Sequence, residues 1–159
     1  MIELELVGVR VELPHNQPIV LLKETEGERF LPIWIGAVEA TSIAFALQGV
    51  ETARPMTHDL MKNLLDALTV SATRIVVTEL RDGTFYAEIL LSGPGGDTTV
   101  SSRPSDAIAL AVRAGIPVFA EEAVLEEAGI LIDDDDESET EVEKFKEFLD
   151  TVTPEDFAQ

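Results

Sequence analysis

The sequence of 159 residues contains no cysteine, and aromatic residues make up only 6% of it. Without cysteine, disulfide bonds and thiolate metal sites are excluded, and nothing in the composition requires an oxidising compartment. No apolar stretch approaches the roughly 20 residues that a membrane-spanning helix needs. The first residues alternate acidic and apolar side chains, unlike a signal peptide. These absences predict a cytoplasmic protein that makes no contact with a membrane.

Basic residues are also scarce, since 11 Lys and Arg face 31 Asp and Glu and leave a net charge of −20. Residues 133–159 hold 12 acidic and 2 basic side chains, so this tail carries −10, half of the total. The other half lies on residues 1–132, which are therefore acidic as well. Because loose binding to nucleic acid depends on clustered Lys and Arg, any nucleic-acid site must be a local arginine pocket.

Hydrophobic residues, 45% of the chain, suffice for one globular core. Alternating apolar residues in positions 2–13 predict a strand, and a change of phase near Gly8 predicts a β-bulge. Asp82 and Gly83 supply the positive φ angles of a tight hairpin turn. Further β-rich runs occupy residues 19–22, 29–35, 74–80, 84–91 and 98–102. The pattern predicts a single compact α+β domain, with a mixed, largely antiparallel sheet of hairpins and a meander packed against three to four helices.

Four helices are expected in residues 1–132. The first follows Gly36 and ends at Gly49, and the third and fourth occupy residues 105–114 and 121–128. The second follows Thr57, and its apolar stripe consists of Leu60, Met61, Leu64, Leu65 and Leu68. We assign residues 1–132 to the domain and residues 133–159 to an acidic tail, in which an apolar stripe after Ser138 predicts a short amphipathic helix.

Two similar motifs open the second and third helices: Arg54-Pro55-Met56-Thr57-His58-Asp59 and Arg103-Pro104-Ser105-Asp106. A helix N-terminus presents unpaired N–H groups and partial positive charge, so a nearby guanidinium makes it a natural place to hold a phosphate. The candidate substrate-binding residues are therefore Arg54, Thr57, Arg103 and Ser105. The alternative is that Thr57 or Ser105 caps its helix while the carboxylates satisfy the helix dipole.

His58 is a candidate general base or acid, because histidine exchanges protons near neutral pH. Neighbouring residues on a helix point about 100° apart, so His58 and Asp59 are not expected to pair with each other. The expected partner is Asp106 or Glu39. The candidate catalytic residues are His58, Asp59 and Asp106, and the alternative is a polar first-turn histidine without a catalytic role.

A metal site would need oxygen and imidazole ligands, because thiolates are absent. Asp59, Asp106 and Glu39 could hold Mg²⁺ or Mn²⁺, with His58 nearby. The spacing of these residues is not diagnostic of any metal motif.

The same residues resemble the bifunctional nuclease domain family. The likeness covers roughly residues 1–132, and its strength lies in the order of several short motifs: Leu31-Pro32-Ile33-Trp34-Ile35-Gly36, Glu39-Ala40, Gly49, Arg54-Pro55, Thr57-His58-Asp59-Leu60, Gly83-Thr84-Phe85-Tyr86-Ala87 and Arg103-Pro104-Ser105-Asp106-Ala107. The resemblance implies a compact α+β fold, a homo-oligomer such as a dimer, and hydrolysis of both DNA and RNA.

In a nuclease, Arg54 and Arg103 would hold the scissile phosphate, while His58 or a metal held by Asp59 and Asp106 would activate water. A second hypothesis is a non-enzymatic module in which the two Arg-Pro helix starts bind an anion or a protein carboxylate, and the net charge favours it. A third is a structural role, in which Arg54 and Arg103 pair with carboxylates across a subunit interface.

Overall fold

Three antiparallel strands form the first half of the sheet: β1 (Ile2–Glu12), β2 (Gln17–Glu24) and β3 (Arg29–Trp34). The computed structural model describes residues 1–12 and 17–132, so the predicted tail helix lies outside the described residues. Pairing between β1 and β2 shifts by one residue between Leu6 and Gly8. This irregularity confirms the bulge that the change of hydrophobic phase predicted.

A meander forms the second half: β4 (Ser71–Arg81), β5 (Thr84–Gly93) and β6 (Gly96–Ser102). The turn between β4 and β5 places Asp82 and Gly83 at φ angles of 53° and 77°, as predicted. Strand β7 (Val118–Ala120) joins the halves, since it runs antiparallel to β1 and parallel to β4. With β8 (Ile130–Leu131) beside β3, the order is β6-β5-β4-β7-β1-β2-β3-β8.

Four helices accompany the sheet: α1 (Ala37–Gln48), α2 (Thr57–Ala67), α3 (Pro104–Ala114) and α4 (Glu122–Ala128). Helices α1 and α2 both pack against α3, which also contacts β4 and β5. Alanines at positions 107, 109 and 111 of α3 are fully or almost fully buried. Their small side chains allow close packing, so α3 brings the other two helices near each other.

Two apolar clusters make up the core. One joins β1, β2 and β3 with α1 and α4, and it includes Leu22, Leu31 and Ile43. The other lies between the β4–β5 hairpin and α3, and it includes Ile75 and Leu110. Helix α3 contributes residues to both clusters, so one continuous element connects the two halves of the domain.

Only part of the apolar stripe of α2 is covered by the rest of the domain. Met61 and Leu65 pack on the second cluster, whereas Leu60, Leu64 and Leu68 are 51%, 53% and 67% exposed. The contact with α3 and β4 covers one row of the helix, and the apolar face is wider than that row. The three exposed leucines therefore leave an apolar row on the surface.

The architecture is the predicted one: a single compact α+β domain with a mixed, mostly antiparallel sheet and four helices in the described residues. Among these helices, none combines the length and the apolar character needed to cross a membrane.

Candidate active site

The two similar motifs lie at the N-termini of α2 and α3, where the residues at the cap positions are Met56 and Arg103. The Arg103 side chain makes no capping hydrogen bond to the backbone of α3. Thr57 and Ser105 are already inside the helices, so the alternative in which these hydroxyls are the caps was wrong. The reason is Pro104 in α3, which fits the first helical position because it has no N–H to leave unpaired.

His58 is buried, with 4% of its surface exposed, although it lies in the first turn of α2. Its Nε2 atom is 2.8 Å from Asp106 Oδ1, and its Nδ1 atom is 2.6 Å from Ser42 Oγ in α1. Asp106 is one of the two partners that the sequence suggested. Both ring nitrogens of His58 therefore have hydrogen-bond partners, and the ring connects α1, α2 and α3.

Asp106 also accepts a hydrogen bond from Arg103 Nε at 3.0 Å, and Arg103 Nη2 donates to Glu39 Oε1 at 2.7 Å. Burial raises the pKa of the Asp106 carboxyl, but the hydrogen bonds from His58 and Arg103 outweigh burial and hold this pKa below its ordinary value of 3.8. Asp106 is therefore ionised at neutral pH. The pKa of Arg103 is raised by Asp106 and Glu39 together.

These contacts form a chain from the interior to the surface: Ser42, His58, Asp106, Arg103 and Glu39. Ser42 and His58 are each 4% exposed, whereas the Arg103 side chain is 66% exposed. Among these five residues, the Arg103 guanidinium is therefore the group most accessible to a ligand. We call these five residues the relay.

Asp59 does not belong to the relay. Its Oδ1 accepts a hydrogen bond from Arg113 Nε at 2.7 Å, and its Oδ2 accepts one from the backbone N–H of Met56. The hydrogen bond from Arg113 lowers the pKa of Asp59, so the carboxylate stays ionised opposite a guanidinium that is mostly shielded from solvent. Arg113 also donates to the Ser42 carbonyl at 3.1 Å, so it ties α3 to α1 and α2.

The other predicted substrate-binding residues differ in accessibility. Arg54 and Thr57 are exposed before and at the start of α2, whereas Ser105 is 6% exposed. Within the described part of the chain, the Arg54 guanidinium makes no ion pair. The Thr52 hydroxyl donates a hydrogen bond to the Arg54 backbone carbonyl. Arg54 is thus a cation available to a ligand, while Arg103 already has two carboxylate partners.

Two of the three carboxylates predicted to bind a metal converge. Glu39 Oε1 and Asp106 Oδ2 lie 2.7 Å and 2.8 Å from the same nitrogen, Arg103 Nη2. Asp59 is occupied by Arg113 and Met56 instead. No group of three or more His, Asp or Glu side chains suited to a metal occurs among residues 1–12 and 17–132. A metal held by Glu39 and Asp106 would need water or substrate oxygens to complete its coordination.

Sequence reasoning missed Ser42 and Arg113, although a signal for each was present. Ser42 lies three residues after Glu39, on the same face of the largely apolar helix α1. Arg113 lies seven residues after Asp106, also on one face of α3. Polar residues at helical spacing within apolar helices indicate a buried polar contact between helices.

Residues 20–133 of the chain match the family model of the bifunctional nuclease domain. The chain is a member of this family. It is 50% identical to an uncharacterized protein of Mycobacterium tuberculosis strain H37Rv over 98% of its own length and 97% of the relative. It is 31% identical to Bifunctional nuclease 1 of Arabidopsis thaliana over 66% of this chain and 33% of the plant protein. Bifunctional nuclease 2 of Oryza sativa subsp. japonica is 28% identical, over 72% and 36% respectively. The chain thus spans about a third of the length of these plant relatives.

Proposed function

We propose that the protein hydrolyses phosphodiester bonds in DNA and RNA with little sequence preference. The observation that carries this proposal is the relay, because it joins four predicted site residues, Glu39, His58, Arg103 and Asp106, and ends in an exposed guanidinium. Membership of the bifunctional nuclease domain family supports the same reaction. We further propose that it acts in the cytoplasm, where the absence of cysteine is no disadvantage.

Arg103 and Arg54 have separate tasks in this proposal. Arg103 stands at the start of α3, where its guanidinium and the unpaired N–H groups of the first helical turn can hold a phosphate together. Arg54 and Thr57, exposed at the start of α2, hold the strand next to the scissile bond. Both guanidinium groups stabilise the charge that develops on the phosphate oxygens during cleavage.

The relay by itself is not a strongly positive site. Glu39 and Asp106 bring two negative charges and Arg103 one positive charge, so the formal sum of these three groups is −1. A phosphate would add repulsion unless positive charge is supplied. We propose that Mg²⁺ or Mn²⁺ provides it, held by Glu39 and Asp106, because hard cations prefer carboxylate oxygens. When bound, such an ion lowers the pKa of a coordinated water molecule and makes it a better nucleophile.

A non-enzymatic anion- or protein-binding module is the second candidate function. It is favoured by the net charge of −20 and by the two carboxylates that already neutralise Arg103. In this case Arg54 would be the main contact, and a small phosphorylated ligand would bind without being cleaved. The third hypothesis, a structural pairing of Arg103 across a subunit interface, finds less support because the carboxylate partners of Arg103 lie in its own chain.

Cleavage of labelled single-stranded DNA and RNA by Arg103→Ala and Arg54→Ala variants tests the proposal. We expect a loss of about 100-fold or more for Arg103→Ala, as for other groups that stabilise transition-state charge, and a smaller loss for Arg54→Ala. EDTA should abolish the activity, and Mg²⁺ or Mn²⁺ should restore it.

Arg81→Ala is the matched control, because Arg81 is an exposed arginine at the β4–β5 turn and its removal changes the net charge equally. If purified protein does not cleave, or if all three variants cleave equally well, the nuclease proposal is wrong. Thermal stabilisation by a nucleotide without cleavage, lost in Arg54→Ala, would support the binding module instead.

A further inference from the structure

We propose that Ser42 and His58 are positioning residues, which hold Asp106 and thereby Arg103, and that His58 presents an Nε2–H to Asp106. The inference rests on the proposed function for its catalytic consequence, although the hydrogen bond from the ring to Asp106 can be tested without any activity. It gives His58 a different role from the general base that the sequence suggested.

The donors and acceptors of the relay fix the proton of the ring. Asp106 is ionised and can only accept hydrogen bonds, so the 2.8 Å contact requires a proton on His58 Nε2. On the other side of the ring, Nδ1 and the Ser42 hydroxyl form a hydrogen bond at 2.6 Å. Ser42 therefore holds the ring in the orientation that presents Nε2 to Asp106.

Geometry also prevents His58 from activating water in this arrangement. A general base needs a ring nitrogen within hydrogen-bond reach of the proton that it removes. Both nitrogens of His58 are occupied, and the residue is 4% exposed. The effect of the ring on a ligand therefore passes through Asp106, which orients the exposed Arg103 guanidinium.

Ser42 is itself held firmly. Its carbonyl oxygen accepts a hydrogen bond from Arg113 Nη2, and its hydroxyl meets the imidazole. The preceding residue, Thr41, is also buried, but its hydroxyl donates to the Ala37 carbonyl within α1. Thr41→Ala thus removes a buried hydroxyl from the same helix without touching the relay, which makes it a matched control for Ser42→Ala.

Replacement of His58 by glutamine separates the two roles. Glutamine can accept from Ser42 and donate to Asp106, but it cannot take up a proton at neutral pH. We expect His58→Ala and Ser42→Ala to lower cleavage of labelled oligonucleotides about 10-fold to 100-fold, as the loss of orienting partners does elsewhere. His58→Gln should restore most of the loss, and Thr41→Ala should match the wild type. A loss of about 100-fold or more in His58→Gln, equal to that of His58→Ala, would show a general base and overturn the proposal.

Long-range ¹H–¹⁵N spectra of the full chain test the ring directly. The sequence has two histidines, His15 and His58. The imidazole signals that disappear in His58→Gln therefore belong to His58. We expect a proton on Nε2 of His58 in the wild type and in Thr41→Ala, and an altered Nδ1 signal in Ser42→Ala. A ring that carries no proton on Nε2 in the wild type would overturn the proposal. If the wild type shows the expected form but does not cleave, the positioning of Asp106 stands and the nuclease function fails.

Discussion

Asp59 and Asp106 occupy the same position, the third residue of their helices, but they have different partners. Asp106 binds His58 and Arg103 in the relay, whereas Asp59 binds Arg113 and the start of its own helix. A repeat in the sequence is therefore a repeat in helix position and not in chemistry. We infer that Asp59 contributes mainly to stability, and that Asp106 contributes mainly to the site.

Replacement of Asp59 by asparagine should lower the free energy of unfolding by about 1–2 kcal/mol at neutral pH, because Arg113 loses its ionic partner. Arg113 is only 10% exposed, so water replaces this partner poorly. Since folding lowers the pKa of Asp59, its ionised form stabilises the folded chain. The difference between wild type and variant should shrink as the pH falls below 3.8 through the lowered pKa.

Urea unfolding across the acidic range measures this difference. The control is Asp66→Asn, which removes a carboxylate whose one ion pair among the described residues is with Lys62 on the surface of α2. Such a pair contributes about 0.5 kcal/mol or less. Equal stability of the Asp59→Asn and Asp66→Asn variants, or a difference that does not change with pH, would contradict the assignment of Asp59.

At the scale of single elements, the ends of helices depend on glycine. Gly115 ends α3 with φ at 67°, in the left-handed region that an L side chain adopts only at a cost. Gly115→Ala should therefore lower stability by about 1 kcal/mol, although no atom of residues 1–12 or 17–132 lies within 4 Å of the added methyl group. The control is Gly95→Ala, which also places its methyl group in open space but has no such φ angle. A loss no larger than that of the control, measured by thermal unfolding, would contradict this reading of the helix end.

Local signals explain which elements could be predicted from the sequence. Three kinds of feature depend only on neighbours in the sequence: strands with alternating residues, the turn at Asp82 and Gly83, and helix ends at glycine. The structure confirms all three. Strand β7 was missed, because three residues carry no period and its pairing with β1 and β4 is long-range. The near-repeat drew attention to Arg103 and Asp106, which the structure joins by a hydrogen bond. It could not find Ser42 and Arg113, whose contacts arise only when α3 brings α1 and α2 together.

At the scale of the whole molecule, net charge limits association. Two copies that each carry −20 repel one another, so a second copy can approach closely only at an uncharged surface. The outer face of α2 is such a surface. One row of exposed residues along this face carries no charge: Met56, Leu60, Leu64 and Leu68. The charged residues of α2 are neutralised within the chain, because Lys62 pairs with Asp66 and Asp59 pairs with Arg113.

We therefore expect self-association through this face of α2, with a second copy packing its own α2 against the leucine row. The surface of one short helix is small beside the roughly 1,200–2,000 Å² that stable complexes bury. Association should accordingly be weak, on the order of micromolar. Leu64→Lys places a charge in the middle of the row and should make the chain monomeric over the same concentration range in sedimentation equilibrium.

Val38→Lys is the appropriate comparison, because Val38 is an apolar residue of α1 that is 75% exposed, and the change in net charge is the same. If Val38→Lys dissociates the protein as well, general electrostatics decides the oligomeric state and the α2 interface is wrong. If the wild type is monomeric throughout, the leucine row serves another partner. If dimers persist in the wild type and in Val38→Lys but not in Leu64→Lys, the contact lies on α2. This is the helix whose first turn carries His58 and Asp59.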